Sequence, residues 1–199
     1  MKRINKVQKA LFLIMLIVIV LIGLYAVYTL FFNKDKGNLK EEKTIKYGYT
    51  LYARDSELYK DIFNNLKTTL DSEEVNYEDY AKYITELFVI DFYSLNNKTS
   101  KNDVGGLQYI EPSLQENIKL NATNTIYKYI NVNNKKELPE VTSIELIKIE
   151  EVIYKINNVS YDSYLIELSW EYKEDLGYEG NGIFNVIKDD NKLYIVEKK

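Results

Sequence analysis

Residues 76–95, NYEDYAKYITELFVIDFYSL, form the stretch that decides the fold. Asn76 with Asp79 three positions later resembles a capping box, which is typical of a helix start. Apolar side chains recur at helical spacing on one face, and others lie off that face in the last two turns. We therefore predict a helix that ends near Leu95 and is buried almost all round in its second half. Its main face carries Tyr77, Tyr80, Ala81, Ile84, Phe88, Phe92 and Leu95, with Val89, Ile90 and Tyr93 beside it.

Two shorter elements precede this helix. Apolar and polar residues alternate over 45–52, which predicts a strand. Asp55 is placed to cap a following helix. The apolar face of that helix consists of Leu58, Ile62, Leu66 and Leu70, and it is widened by Tyr59 and Phe63.

A loop and a third helix follow residue 95. Residues 96–106, NNKTSKNDVGG, are polar and rich in turn-forming residues, which predicts a loop. Pro112 suits the first turn of a helix that we expect to reach roughly to Ile130. Residues 121–125 are poor helix formers, so this is where the helix is weakest.

The last third of the chain has the pattern of strands. Val141–Ile156 is rich in β-branched residues but changes phase near Glu150 and Glu151, which predicts a bulge there. Asn157-Asn158 suits a two-residue hairpin turn. A last hairpin is expected from 183–188 and 193–197. Between these hairpins, the inward face of one strand consists of Tyr164, Ile166, Leu168, Trp170 and Tyr172.

The element order is therefore one strand, three helices and then four antiparallel strands. Helices and strands that are segregated along the chain in this way are typical of an α+β domain. We predict about three helices packed on a curved antiparallel sheet, and a transmembrane helix before them.

Residues 10–32, ALFLIMLIVIVLIGLYAVYTLFF, predict that transmembrane helix. They carry no charge, and at 1.5 Å per residue they reach about 35 Å, enough to cross a hydrocarbon core of about 30 Å. A cleaved signal peptide is the alternative, but its apolar region would be about 7–15 residues long and would end in small residues. Since 28–32 is bulky, we interpret the run as an uncleaved anchor in the lipid bilayer.

The anchor divides the chain into a basic tail at 1–9, the span at 10–32, a polar linker at 33–44 and a domain at 45–199. Four Lys or Arg residues flank the span on each side, so their count alone does not decide the orientation. The positive charges of the tail lie closer to the span and include the amino terminus. This favours a cytoplasmic N-terminus and an extracytoplasmic domain, with a cytoplasmic domain as the alternative.

The composition excludes several kinds of site. The chain has no Cys and no His, which rules out disulfides, thiolate–zinc sites and histidine bases. We expect neither a cofactor nor a metal. All 30 acidic residues follow Phe32 but only 22 of the 26 basic residues do, so that part has a formal charge of −8. Nucleic acid is not expected as a partner, because proteins that bind phosphates carry a basic face.

The element order resembles the cone-shaped α+β superfamily named after nuclear transport factor 2, in which N-terminal helices lie in the concavity of a bent sheet. With the basic tail and one anchor, the whole chain resembles the bitopic assembly subunits of type IV secretion and conjugation systems. An Asn-Pro-x-Gly turn is typical of part of that family, and this chain has Asn102-Asp103-Val104-Gly105-Gly106 instead. The resemblance implies an extracytoplasmic scaffold that acts through protein contacts.

Asp91 is the candidate for chemistry. It falls on the same helical face as Tyr80 and Ile84, so its carboxylate is expected to point towards the core, where an unpaired charge is costly. In the superfamily that the chain resembles, such a pocket acid can serve as a general base. The alternative is a structural carboxylate that accepts hydrogen bonds from a Tyr hydroxyl or a loop amide.

Two further features are candidate ligand sites. Asn102 and Asp103, with Gly105 and Gly106, suit a tight turn that offers backbone N–H groups to an anion. The alternative is a connector that needs positive φ. Trp170 and the Tyr side chains around it suit either a ligand cage or the core.

The sequence thus predicts a non-catalytic extracytoplasmic interaction or scaffold domain, held in the membrane, as a subunit of an envelope or secretion complex. Its expected partner is another protein or a second copy of itself. One alternative is an extracytoplasmic pocket protein that binds a small ligand, or acts as an enzyme, through Asp91 and Tyr hydroxyls. The other is a cytoplasmic, membrane-tethered adaptor.

Overall fold

The computed structural model describes residues 15, 18–23, 41–128, 130 and 138–199. Contacts divide the chain into two units, Met1–Asn38 and Leu39–Lys199. In the first unit, residues 15 and 18–23 are helical with exposed side chains. Within the described residues, no helix is both long and apolar enough to cross a bilayer. The rest of the predicted span, the basic tail and linker residues 33–40 lie outside the described residues.

The second unit is α+β, as predicted, with helices and a curved antiparallel sheet. Four strands form this sheet in chain order, β3-β4-β5-β6, and a separate hairpin is formed by β1 and β2. The strands are β1 Glu41–Thr44, β2 Thr50–Tyr52, β3 Val141–Ile156, β4 Val159–Tyr172, β5 Asn181–Asp189 and β6 Lys192–Lys198, and the α-helices are α1 Glu57–Asp71, α2 Tyr77–Tyr93 and α3 Gln115–Asn124.

Helix α2 lies at the centre of this unit, because it contacts α1 as well as all four strands of the sheet. The side chain of Asn76 accepts hydrogen bonds from the N–H groups of Glu78 and Asp79 at 3.0 and 3.2 Å, which confirms the predicted cap. Its second half is buried almost all round, as the sequence predicts, with Asp91 and Phe92 half-buried. The helix ends two residues before Leu95, since Ser94 turns away and its hydroxyl accepts from the N–H of Val141 at 3.1 Å.

The start of α1 differs from the prediction. Ser56, not Asp55, caps the helix by accepting from the N–H of Tyr59 at 3.2 Å. Asp55 accepts from the N–H of Tyr52 at 2.7 Å and so closes the turn before the helix. The apolar face of α1 is confirmed, and its buried residues are Tyr59, Ile62, Phe63, Leu66 and Leu70.

The prediction of a single strand over 45–52 is wrong. The chain reverses within it, because Tyr47 and Gly48 adopt φ values of 63° and 78°. β2 then pairs antiparallel with β1, which occupies the last four residues of the predicted linker. Alternating apolarity alone could not reveal this reversal, since Ile45 and Tyr49 pack on the core from both sides of a turn.

The sheet has the predicted hairpins, but the bulge in β3 lies earlier in the strand than predicted. Asn157 and Asn158 form the turn between β3 and β4 with φ values of 49° and 68°. Besides an irregularity between Val141 and Ser143, β3 has a bulge between Leu146 and Lys148, and not at Glu150-Glu151 as predicted. It leaves Ile147 unpaired and brings residues 146 and 149 onto the core face. The inward face of β4 is confirmed by the burial of Tyr164, Ile166, Leu168 and Trp170.

Helix α3 is shorter than predicted. A single 3₁₀ turn at Pro112–Leu114 leads into it, and it ends at Asn124 instead of near Ile130. The end falls within the weak stretch at 121–125, where Thr125 leaves the helical conformation.

The buried face of β4 gives a direct test of the fold. Ile166 is fully buried, so Ile166→Ala is expected to lower the free energy of unfolding by about 3 kcal/mol through the cavity it leaves. Urea unfolding, followed by the fluorescence of the single Trp170, measures this change. The control Glu167→Ala, on the opposite face, is expected to cost less than about 1 kcal/mol. Equal losses would contradict this assignment of faces.

Candidate functional site

Asp91 lies near the end of α2, and both of its carboxylate oxygens are engaged. Lys98 donates from Nζ to Oδ1, and the N–H of Gly106 donates to Oδ2 at 2.6 Å. The Lys98 side chain is 0% exposed and that of Asp91 is 15% exposed. The carboxylate is therefore held in a largely buried ion pair, which compensates a charge that would otherwise be costly to bury.

A second ion pair lies beside the first. The guanidinium of Arg54 donates to both oxygens of Asp103, with Nη2 at 2.8 Å from Oδ1. Asp103 also accepts from the N–H and hydroxyl of Thr99 at 2.9 and 3.1 Å. Burial by itself would raise the pKa of Asp103, but Arg54 and the Thr99 N–H hold that pKa below its ordinary value. The fork-shaped pairing fixes both position and orientation.

The carboxylate of Asp55 interacts electrostatically with residues of both ion pairs. Burial raises the pKa of Asp55 to about 6, the N–H of Tyr52 opposes this shift, and the nearby Asp91 carboxylate adds to it. Lys98 and Arg54 act on Asp55 in the opposite direction. We call this set of five charged residues the ionic cluster; its members are Arg54, Asp55, Asp91, Lys98 and Asp103.

The loop at 96–106 approaches α2 so closely that only glycine fits at positions 105 and 106. A Cβ on Gly105 would lie 2.2 Å from the carbonyl oxygen of Asp91. Gly106 has φ +75°, and a Cβ there would lie 2.7 Å from Cδ2 of Phe88. The N–H of Gly105 donates to the hydroxyl of Tyr127 at 3.1 Å. The two glycines thus allow the loop to close over the end of the helix.

The amides proposed to bind an anion are already used inside the loop. The N–H of Asp103 donates to the Ser100 carbonyl at 3.1 Å, and that of Asn102 donates to the Ser100 hydroxyl at 3.3 Å. Together with the bonds of Gly105 and Gly106, these contacts favour the connector over the anion-binding turn.

Trp170 lies apart from the ionic cluster, on β4. It is 4% exposed and stacks on Tyr93 with ring centroids 5.1 Å apart. Its Nε1 donates to the hydroxyl of Tyr172 at 2.9 Å. The side chain is packed in the core, which favours the core alternative over a ligand cage.

Four of the buried Tyr hydroxyls form two pairs. Those of Tyr59 and Tyr109 lie 2.6 Å apart, and Gln108 donates to both. Those of Tyr49 and Tyr80 lie 2.8 Å apart. Burial raises the pKa of each of these four hydroxyls above the ordinary value. They therefore stay protonated at neutral pH and do not supply a base.

A largely apolar cleft lies between α2 and β6. It has a volume of about 380 Å³, with Glu197 and Lys198 among its charged residues. Asp91 does not line it. The apolar lining consists of Phe88, Phe92, Tyr93, Ile110, Ile118, Ile195 and Val196.

The sequence reasoning missed the cations of the ionic cluster. Lys98 sits in a polar loop among other Lys and Asn residues, so nothing local distinguishes it from a solvated side chain. Arg54 did carry a signal, because Arg3 and Arg54 are the only arginines among the 26 basic residues. Arginine is suited to bidentate pairing with a carboxylate in a way that lysine is not.

No family model, curated protein or solved structure matches this chain. The resemblance to the cone-shaped superfamily and to secretion-system subunits therefore stays a prediction from the element order.

The pairing of Asp91 with Lys98 predicts strong energetic coupling. Asp91→Asn leaves a buried ammonium without its counter-charge, which is expected to lower the free energy of unfolding by about 3 kcal/mol. The double variant with Lys98→Met is expected to lose much less than the sum of the two single losses, by at least about 1 kcal/mol. Urea unfolding of all four proteins measures the coupling. Additive losses would contradict a mutual ion pair.

The raised pKa of Asp55 predicts that the stability of the fold depends on pH. Its pKa of about 6 in the folded chain exceeds the ordinary value near 4, so the folded state binds more protons between those limits. Stability is therefore lost as pH rises from about 4 to about 6, by roughly 3 kcal/mol from this group. Asp55→Asn keeps an acceptor for the N–H of Tyr52 and is expected to flatten the curve in that window.

Glu86 supplies the matched control. It is 4% exposed, and burial raises its pKa to about 7, with Lys82 opposing the shift. Glu86→Gln is therefore expected to flatten the stability curve through a window that extends to about pH 7. Urea unfolding at pH 4, 5, 6 and 7 separates the two groups. If Asp55→Asn leaves the slope between pH 4 and 6 unchanged, the assignment to Asp55 is wrong.

Proposed function

We propose that this chain is a non-catalytic interaction domain that residues 10–32 hold in a cell membrane, with the folded domain on the outer side. The observation that carries this proposal is the engagement of Asp91. It is the candidate general base, and its carboxylate is committed to Lys98 and to the N–H of Gly106. A carboxylate with both oxygens engaged in this way suits a structural role better than proton transfer from a substrate.

The anchor is supported by the sequence. Residues 10–32 carry no charge in 23 positions. Val18–Ile22 are helical, and their side chains are 47% to 62% exposed. An exposed apolar helix is unfavourable in water and ordinary in lipid. Since four basic residues flank each end, the outer location rests on the position of the tail charges, and a cytoplasmic adaptor is the competing hypothesis.

The proposed role is that of a scaffold subunit in an envelope or secretion complex. Its support is the element order, with helices packed on a curved antiparallel sheet, combined with a short basic tail and a single span. This element order resembles that of the secretion-system subunits. The net charge of −8 after Phe32 favours protein partners over nucleic acid.

A second candidate function is the binding of a small apolar ligand. The cleft of about 380 Å³ between α2 and β6 favours it, because its lining is dominated by aromatic and aliphatic side chains. This version of the pocket hypothesis does not use Asp91 or the buried Tyr hydroxyls. An apolar molecule that co-purifies with the chain, without any protein partner, would favour it.

Reporter fusions test the anchor and its orientation together. A C-terminal alkaline phosphatase, active only outside the cytoplasm, is expected to be active, and a C-terminal fluorescent protein that folds only in the cytoplasm is expected to be dark. Deleting residues 10–32 is the control and is expected to reverse both results. A bright cytoplasmic fusion on the full chain would support the adaptor hypothesis.

Cross-linking in intact cells tests the interaction role. The full chain is expected to be recovered in adducts with other proteins or with itself, and Asp91→Asn variants that still fold are expected to give the same adducts. Recovery of the chain solely as a monomer would contradict the proposal.

A further inference from the structure

The two edges of the sheet differ in how they are covered. At the β6 edge, Ile110 forms a parallel bridge to Ile195, and the N–H of Glu111 donates to the Ile195 carbonyl at 3.1 Å. At the other edge, β3 runs for 16 residues and pairs only with β4 within the described residues. The outward backbone groups of such an edge are a template for a further strand.

The far end of β3 also extends beyond the rest of the sheet. β5 pairs with β4 only over Ser163–Ser169, so the ends of β3 and β4 near their turn form a two-stranded ribbon. A two-stranded ribbon is marginal by itself. On this ribbon, Ile153 is 61% exposed. A strand added along β3 would make the ribbon three strands wide and cover part of that side chain.

The backbone pattern shows which groups face outwards. In a two-residue hairpin turn, the flanking residues Ile156 and Val159 form a hydrogen-bonded pair. Alternate residues of β3 therefore point both N–H and C=O away from β4, and these are Glu151, Ile153 and Lys155. Their side chains share one face of the sheet.

The segment 151–155, EVIYK, is complementary to itself when two copies run antiparallel. With Ile153 on the two-fold axis, each Glu151 lies opposite Lys155 of the second copy. Among the described residues, neither side chain forms an ion pair within its own chain. Centring the register on Glu151 would oppose two carboxylates, and centring it on Lys155 would oppose two ammonium groups.

We propose that β3 pairs antiparallel with β3 of a second copy, centred on Ile153, so that two four-stranded sheets join into one across a two-fold axis. The pairing is isologous, as is usual for dimers. This inference rests on the proposed interaction function and deepens it, because it names the partner and the surface. An anchor in one membrane would confine both copies to the same plane and raise their local concentration.

An engineered cysteine tests the register, because the chain has no Cys of its own. In the proposed dimer the two Cα atoms of residue 153 lie about 5.5 Å apart, which is within disulfide range. Ile153→Cys in the full chain, oxidised in its own membrane, is expected to give a covalent dimer. Val159→Cys is the control, because it is similarly exposed, at 52%, but lies roughly 25 Å from its copy in this arrangement.

Charge exchange tests the same register independently. In the Ile153→Cys background, Glu151→Lys and Lys155→Glu each place like charges opposite each other and are expected to reduce the covalent dimer at least fivefold. Combining both changes in one chain restores opposite charges and is expected to restore the dimer. Co-expressing the two single variants with different tags is expected to give the mixed dimer in preference to either homodimer.

Equal cross-linking of the Ile153→Cys and Val159→Cys variants would overturn the proposed pairing. A yield of covalent dimer that stays the same when the charges are changed would also overturn it. The same samples distinguish this failure from failure of the proposed function. If the Ile153→Cys chain does not dimerise but is recovered with another protein, the interaction role stands and the register is wrong. If neither a dimer nor a partner is recovered, both proposals fail.

Discussion

The burial of the second half of α2 on almost every side is the constraint on which the rest of the second unit depends. The helix contacts α1 and all four strands of the sheet, so it has almost no solvated face in its second half. Any charge on that half must then find a partner or lose its charge. Asp91 is paired with Lys98. Glu86 has no ion-pair partner among the described residues, and burial raises its pKa to about 7.

The loop after α2 is shaped by this constraint. To bring a buried ammonium and an amide to Asp91, the chain must fold back over the end of the helix, and Gly105 and Gly106 permit that approach. The second ion pair, between Arg54 and Asp103, ties the same loop to the segment before α1. Asp91, the candidate for chemistry in the sequence, is therefore one of a set of charges that joins three segments of the chain.

This use of charge bears on function. A buried ion pair contributes little net stability compared with apolar packing, but removing one partner is costly. The ionic cluster therefore fixes the geometry of the loop more than it raises stability. The surface that is left open within the described residues is instead the long edge of β3, where the backbone itself offers hydrogen bonds. That contrast favours an interaction role over catalysis.

Local sequence was sufficient for features that depend on neighbouring residues. The cap at Asn76, the turn at Asn157-Asn158 and the inward face of β4 are fixed by spacing and by backbone preference, and the structure has them as predicted. The uncharged run at 10–32 predicts an anchor from composition alone, and this stays a prediction because most of the run lies outside the described residues. Even the phase change in β3 indicated a bulge, although the pattern placed it a few residues too late.

Only the tertiary structure decided which distant residues meet. Arg54 and Asp103 are 49 positions apart, and no periodicity links them. The reversal at Tyr47 and Gly48 was hidden because Ile45 and Tyr49, on either side of the turn, both pack on the core and so continue the alternating pattern. The choice of Ser56 over Asp55 as the cap was also decided in three dimensions, since the Asp55 carboxylate bonds the preceding turn. Periodicity determines which face of an element is buried, whereas the partner of each buried group depends on how the elements pack.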